Sequence, residues 1–212
     1  MEHDFWHNRW AEQRIGFHQQ TINSYLKTFF QQLELNDGEQ VFVPLCGKSS
    51  DMVWLREQDC EVLGVELSDT ACAAFFAENA IDVVGVIEGA FTVREVDSIR
   101  LMGGDFFQLT AQALKKVAAV YDRAALVALP RHMRAQYAHR LSALLPPGVK
   151  MLLITLEFEG EQGPPFSVTP EEVDALFSAR FELKRLHEVQ LSDPRDAGRT
   201  EVVWLLTDKS CG

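Results

Sequence analysis

The sequence predicts a doubly wound α/β sheet with an antiparallel last strand and a helical N-terminal arm. Three observations carry that expectation. Short apolar runs such as 41–45 and 150–156, rich in β-branched residues, suit strands buried on both faces of a parallel sheet. Segments with helical start and stop signals lie between such runs, so strands and helices alternate. Near the end, two strand-like segments, 181–191 and 200–207, are separated only by a short loop, which has no room for a crossover helix and favours an antiparallel pair.

Each element has its own signal. Residues 1–37 read as a mostly helical arm, with Ile22, Tyr25, Leu26, Phe29, Phe30 and Leu33 at helical spacing. Gly38 ends the arm, and the run from Val41 is the first strand. A short helix over 51–58 carries Met52, Val53 and Leu55, and 61–66 is the second strand. Ser68 is a good N-cap, with Asp69 in the first turn, for a helix running to Asn79. Residues 83–101 alternate through Phe91, Val93, Val96, Ile99 and Leu101. The break at Asp97-Ser98 predicts a small hairpin before the third core strand. Val117 to Tyr121 is a further strand, ending at Asp122-Arg123. The helix over about 131–145 is stopped by Pro146-Pro147-Gly148. After the strand at 150–156 and a loop over 160–165, Thr169 caps a helix that has Pro170 in its first position. Right-handed crossovers then put the strand C-termini on one edge, where such sheets bind ligands.

Composition bounds the function. The 212 residues fit one domain that can bury a proper core without disulfides or metals. With 31 acidic against 20 basic residues, the formal charge is −11 and no basic stripe is present, which counts against nucleic acid. Cys46, Cys60, Cys72 and Cys211 form no CxxC pair and no zinc spacing, so a reducing compartment and a metal-free chain are expected. His3 and His7, four apart, have no evident carboxylate partner and read as surface. The acidic N-terminus does not resemble a signal peptide, and no run approaches the roughly 18 apolar residues of a membrane helix. A cytoplasmic protein with no membrane partner is the expectation.

The chemistry gathers at strand ends. Gly47 in the loop 44–50 lets backbone N–H groups approach a ligand. A phosphate loop needs a glycine at position 42, where Phe42 stands, and the three-glycine dinucleotide fingerprint is also missing. Glu66 ends the second strand, 19 residues after Gly47, where a carboxylate can accept both ribose hydroxyls of an adenosine. Its plain alternative is a solvated carboxylate near the next helix N-terminus. Asp105 and Phe106 follow the third core strand: they suit an adenine amino group and ring, or equally a helix cap and core. Trp6, Trp10, Phe17 and His18 form an aromatic cluster that is either core packing or a lid. A sulfonium cation against such a face gains ~0.5–2 kcal/mol. Arg123 suits an anionic ligand or acceptor, or else a scaffold pair with Asp122 or Glu66.

Taken together, Trp6-His7-Asn8-Arg9-Trp10, Gly16-Phe17-His18-Gln19, Val43-Pro44-Leu45-Cys46-Gly47-Lys48 and Gly64-Val65-Glu66-Leu67-Ser68 resemble the thiopurine S-methyltransferase family. So do Asp122 to Ala128 and Gly163-Pro164-Pro165-Phe166, in order and across essentially the whole chain. The chain looks like a bacterial-type member, without the longer N-terminal extension of animal members. The resemblance implies a class I, Rossmann-like methyltransferase domain over 1–212, with the arm 1–37 covering the site. It implies S-adenosyl-L-methionine as cofactor, with Trp10, Leu45 and Gly47 against it, Glu66 on its ribose, and Asp105 and Phe106 on its adenine. Arg123 would lie beside the methionine part and the acceptor as the candidate catalytic residue, and Phe17 would border the acceptor. One departure stands out: animal members often carry Ser-Ile where this chain has Asp105-Phe106.

The implied reaction moves a sulfonium methyl to a thiolate of an aromatic or heterocyclic acceptor such as a thiopurine, with selenium or tellurium compounds as further candidates. An electron-poor thiol ionises near neutral pH unaided, so holding the reactants in line does most of the work. The family resemblance leans to a monomer. Two competing readings are a nicotinamide-dependent oxidoreductase, which should show the fuller glycine pattern, and a non-catalytic α/β nucleotide-binding module.

Overall fold

The computed structural model describes residues 3–12, 19, 21–160, 162–193 and 198–211. His3–Ala11 forms α1 and Ser24–Phe29 forms α2, which tightens into a 3-10 turn over Phe30–Leu33. The side chain of Asn23 starts α2 by accepting the N–H groups of Tyr25 and Leu26. Leu26, Phe30 and Leu33 are buried, as their spacing requires.

The core then follows as β1 (Gln40–Pro44), α3 (Asp51–Glu57), β2 (Glu61–Glu66) and α4 (Asp69–Glu78), the last capped by the Ser68 hydroxyl. Next come β3 (Val86–Glu88), β4 (Phe91–Val96), β5 (Ile99–Gly103) and β6 (Val117–Arg123). The remainder is α5 (Arg131–Leu144), β7 (Lys150–Glu157), α6 (Pro170–Phe177), β8 (Phe181–Gln190) and β9 (Thr200–Asp208). Thr169 caps α6 ahead of Pro170 in its first turn.

Among the described residues these strands form one nine-stranded sheet in the order β3-β4-β5-β2-β1-β6-β7-β9-β8. The strands β5, β2, β1, β6 and β7 run parallel; β9 lies antiparallel between β7 and β8. The predicted doubly wound sheet with its antiparallel last strand is therefore present. The hairpin expectation is refined: the turn at Asp97-Ser98 leads from β4 straight into the core strand β5, and the extra hairpin is β3–β4.

Alternating side chains supply two cores. Along β1, Val41 and Val43 face one way with Leu26, Met52, Leu55, Phe75 and Phe76, while Phe42 faces the other with Tyr137, Leu141, Val173 and Phe177. Helices α3 and α4 thus cover one face and α5 and α6 the other. Switching faces between β1 and β6 opens a crevice at the C-terminal edge of these two strands.

Candidate functional site

That edge holds a cleft of about 1280 Å³, counting its open mouth. Its described lining includes Trp6 and Trp10 from α1, Leu45 to Ser49 after β1, and Glu66 and Leu67 after β2. Asp105 to Phe107 follow from β5, Tyr121 and Arg123 from β6, and Pro164 and Pro165 from the loop after β7. Most of the predicted site residues therefore converge on one concavity. Phe17, with Gly16 and His18, lies outside the described residues, as do the side chains of His3 and His7.

Glu66 is the buried carboxylate of the cleft, 6% exposed. The Gly47 N–H donates to its Oε2 at 2.9 Å and the Ser68 N–H to its Oε1 at 2.9 Å. The Trp10 side chain hydrogen-bonds it as well. Burial raises its pKa above the ordinary carboxylate value, and these donors oppose the rise. The Leu67 N–H is a fourth donor, so the roughly four lone-pair directions of the carboxylate all have a protein partner and the group is firmly oriented.

The loop between β1 and α3 is shaped for this contact. Leu45 has φ 46° and Gly47 φ 54°, so the chain reverses tightly and aims its N–H groups inward. A Cβ on Gly47 would stand 3.1 Å from the Trp10 ring, so the arm packs directly on bare backbone there. Lys48 is drawn aside, 2.5 Å from Glu78.

On the β5 side, the Asp105 carboxylate accepts the Phe107 N–H at 2.9 Å and so caps the following 3-10 turn. Phe106 is buried in the core and also forms cleft wall, its ring 4.8 Å from that of Tyr137. The cap and core reading of this pair thus holds, and both residues also stand at the cleft edge.

At the end of β6, Asp122 turns away from the cleft and Arg123 turns into it. Asp122 accepts the Tyr137 hydroxyl at 2.6 Å and the Leu126 N–H at 3.1 Å. Arg123 makes no ion pair with Asp122 or Glu66, so the scaffold alternative for it does not hold. It is a half-buried cation of the cleft wall, followed by Ala124 at φ 66°. Beyond it the wall is apolar: Val127, Ala128, Leu129, Met133, Pro164 and Pro165.

A second buried hub joins the arm to the cleft. Asp51 accepts the Asn23 N–H at 2.8 Å and the Tyr121 hydroxyl at 2.9 Å. Neither this hub nor Tyr137 was singled out by sequence reasoning, because a buried partner across 28 or 70 residues leaves no local pattern. Cys46 borders the cleft, but burial pushes its thiol well above the ordinary range, leaving it protonated. Among the described residues, no group of three or more His, Cys, Asp or Glu side chains converges as a metal site. No described helix is long and apolar enough to cross a membrane.

Parallel strands in the order β5-β2-β1-β6-β7, an antiparallel β9 and a cleft at their C-terminal edge define the fold of the class I S-adenosylmethionine-dependent methyltransferases. Solved structures of similar shape include a Burkholderia thailandensis 1,6-didemethyltoxoflavin-N1-methyltransferase with bound S-adenosylhomocysteine. It has TM-score 0.69 and 16% identity, with 97% of this chain and 86% of that one covered. A methyltransferase from Anabaena variabilis has TM-score 0.66 and 16% identity, with 98% and 95% covered. At the sequence level, the thiopurine S-methyltransferase family model matches residues 1–209. A thiopurine S-methyltransferase of Nitrosospira multiformis is 46% identical over 199 residues, covering 92% of this chain and 90% of the relative. One from Pseudomonas fluorescens is 47% identical over 188 residues, covering 88% and 86%. The chain belongs to the thiopurine S-methyltransferase family.

Proposed function

We propose that this protein transfers a methyl group from S-adenosylmethionine to the thiolate of a flat aromatic or heterocyclic acceptor, thiopurines among them. The observation that carries this reading is a division of labour in one cleft: its lining includes an oriented carboxylate, Glu66, and a cation, Arg123, that makes no ion pair among the described residues. The donor and acceptor set fits the cofactor. Glu66 can take ribose hydroxyls in exchange for the Trp10 donor, Gly47 carries no side chain that would stand in the way, and Phe106 offers a ring face beside Asp105. Trp10 and Leu45 border the same region, and Trp6 helps the arm close it.

When bound, the cofactor supplies a methyl on a positively charged sulfur. The chain's own residues do the rest. Arg123 holds an anionic group, either the amino-acid carboxylate or the acceptor thiolate, through charge-assisted hydrogen bonds. The apolar lining of Val127, Ala128, Leu129, Met133, Pro164 and Pro165 would exclude water and hold the acceptor flat. Catalysis then rests on orientation in a dry site rather than on a general base. Phe17 would complete the acceptor side, and the arm 1–37 would cover the single methyltransferase domain. Selenium and tellurium compounds are further candidate acceptors, and a cytoplasmic monomer suits such small-molecule chemistry.

The test is a methyl-transfer panel with labelled cofactor against thiopurines, thiophenols, selenite and tellurite, beside calorimetry with S-adenosylhomocysteine and with a nicotinamide dinucleotide. Methylation of the thiols with binding of S-adenosylhomocysteine alone is expected. Binding without methyl transfer to any acceptor would return the chain to the binding-module reading, and preference for the dinucleotide to the oxidoreductase reading.

A further inference from the structure

At the apolar end of the cleft two lining segments come from outside the sheet. One is the turn Val127 to Leu129 with Met133 at the start of α5; the other is Pro164-Pro165 in the loop after β7. Their separation is therefore not set by strand pairing. A compact linkage joins them. The Phe166 N–H donates to the Val127 carbonyl at 2.7 Å, joining one wall to the other. The Phe166 ring folds back over Gly163, where any Cβ would collide with it.

Arg134 ties this linkage together. It is 3% exposed and does not line the cleft. Its Nε donates to the Leu129 carbonyl at 2.8 Å, and Nη1 donates to Glu172 at 2.6 Å on the first turn of α6. Its guanidinium carbon stands 5.9 Å from the centre of the Phe166 ring, within cation–π range. One planar, rigid group thus touches the back of the first wall, the anchor of the second and a third element that steadies both. The fork geometry of arginine allows three directions to be held at once, which lysine does not reproduce.

We propose that Arg134 is a positioning residue that sets the width of the slot between the turn 127–129 and Pro164-Pro165, and so the size of the acceptor the cleft takes. This rests on the methyl-transfer reading of the same cleft. A plain ion pair fastening α5 to α6 predicts something different: loss of stability with all acceptors and the cofactor affected alike.

The test compares wild type with Arg134→Lys, and with Phe166→Leu should the lysine variant fail to fold. Each is assayed with a series of aromatic thiols, one ring, two fused rings and one ring bearing a bulky alkyl group. Binding of S-adenosylhomocysteine and of each thiol is measured separately by calorimetry. A loosened wall is expected to raise KM for the one-ring thiol about tenfold with a smaller change in kcat, since small misplacements cost that much or more. The ratio of kcat/KM for bulky over one-ring thiols is expected to rise by about tenfold, with Kd for S-adenosylhomocysteine within about twofold. Glu172→Gln, which keeps an acceptor for Nη1, is expected to move the ratio the same way but less. An unchanged ratio, or equal losses for every acceptor and the cofactor product, overturns the proposal. If wild type binds the thiols but transfers no methyl, size discrimination lost in Arg134→Lys still supports the slot while the methyl-transfer reading falls.

Discussion

Tyr137 on α5 donates its phenol proton to Asp122 across 2.6 Å, immediately before Arg123 at the end of β6. The pair fixes the turn that carries Arg123 and backs the Phe106 ring, so the two ends of the cleft share one support. Burial lifts the Asp122 carboxyl to about 6, against the opposing pull of the Tyr137 and backbone donors. Its pKa in the folded chain thus lies above the unfolded value of about 3.9. The stability it contributes is full below that unfolded value and is lost as pH rises through about 6. A loss of about 2 kcal/mol between pH 4 and 8 follows from this group. Urea unfolding of Asp122→Asn across that range should lack this component, and an identical pH profile in variant and wild type would count against it. Tyr137→Phe removes a donor to the ionised form and should move the step to higher pH.

Glu66 and Gly47 make a second test. Glu66→Ala should weaken S-adenosylhomocysteine binding by about tenfold or more, the scale of hydrogen bonds to a charged group. Gly47→Ala should weaken it too and also lower stability by ~1–2 kcal/mol, because alanine is strained at φ 54° and meets the Trp10 ring. Calorimetric titration reads both, and wild-type affinity in Glu66→Ala would sink the ribose assignment.

For Arg123, the acceptor and cofactor roles separate by kinetics. Arg123→Ala should lower kcat/KM for thiols by about a hundredfold if it steadies charge in the reacting pair, with a smaller change in cofactor affinity. Arg123→Lys should recover part of the loss, since charge remains while the two-pronged geometry is gone. A variant that loses cofactor affinity yet keeps kcat would assign Arg123 to the cofactor carboxylate alone.

Asp51 should matter to stability more than its distance from the chemistry implies. Asp51→Ala leaves the Asn23 N–H and the Tyr121 hydroxyl buried without their acceptor, at a cost of about 3 kcal/mol. Tyr121→Phe removes a single donor and should cost about 1 kcal/mol. Chemical denaturation of the two variants gives the comparison, and equal effects would contradict the hub.

How much of this was legible before folding varies from element to element. Strands β1, β2, β6, β7 and β9 lie within a residue or two of where the sequence predicts them, because their central residues are apolar and buried on both faces. Ser68 and Thr169 were legible as caps because a cap bonds only three residues away. The hairpin near residue 97 was half legible: alternation marked the strands, but nothing local says which of them joins the parallel core.

By itself, then, the sequence determined the alternation of strands and helices, the caps, and the placing of Gly47, Glu66, Asp105 and Arg123 at strand ends. Those follow from short-range periodicity and turn chemistry. Only the tertiary structure decided that Glu66 is held by Gly47 and Ser68, that Asp122 serves Tyr137 and makes no ion pair with Arg123, and that Arg134 bridges Leu129, Glu172 and the Phe166 ring. Each of these depends on which buried donor finds which acceptor when separate elements pack, and desolvation penalises any that fail to do so.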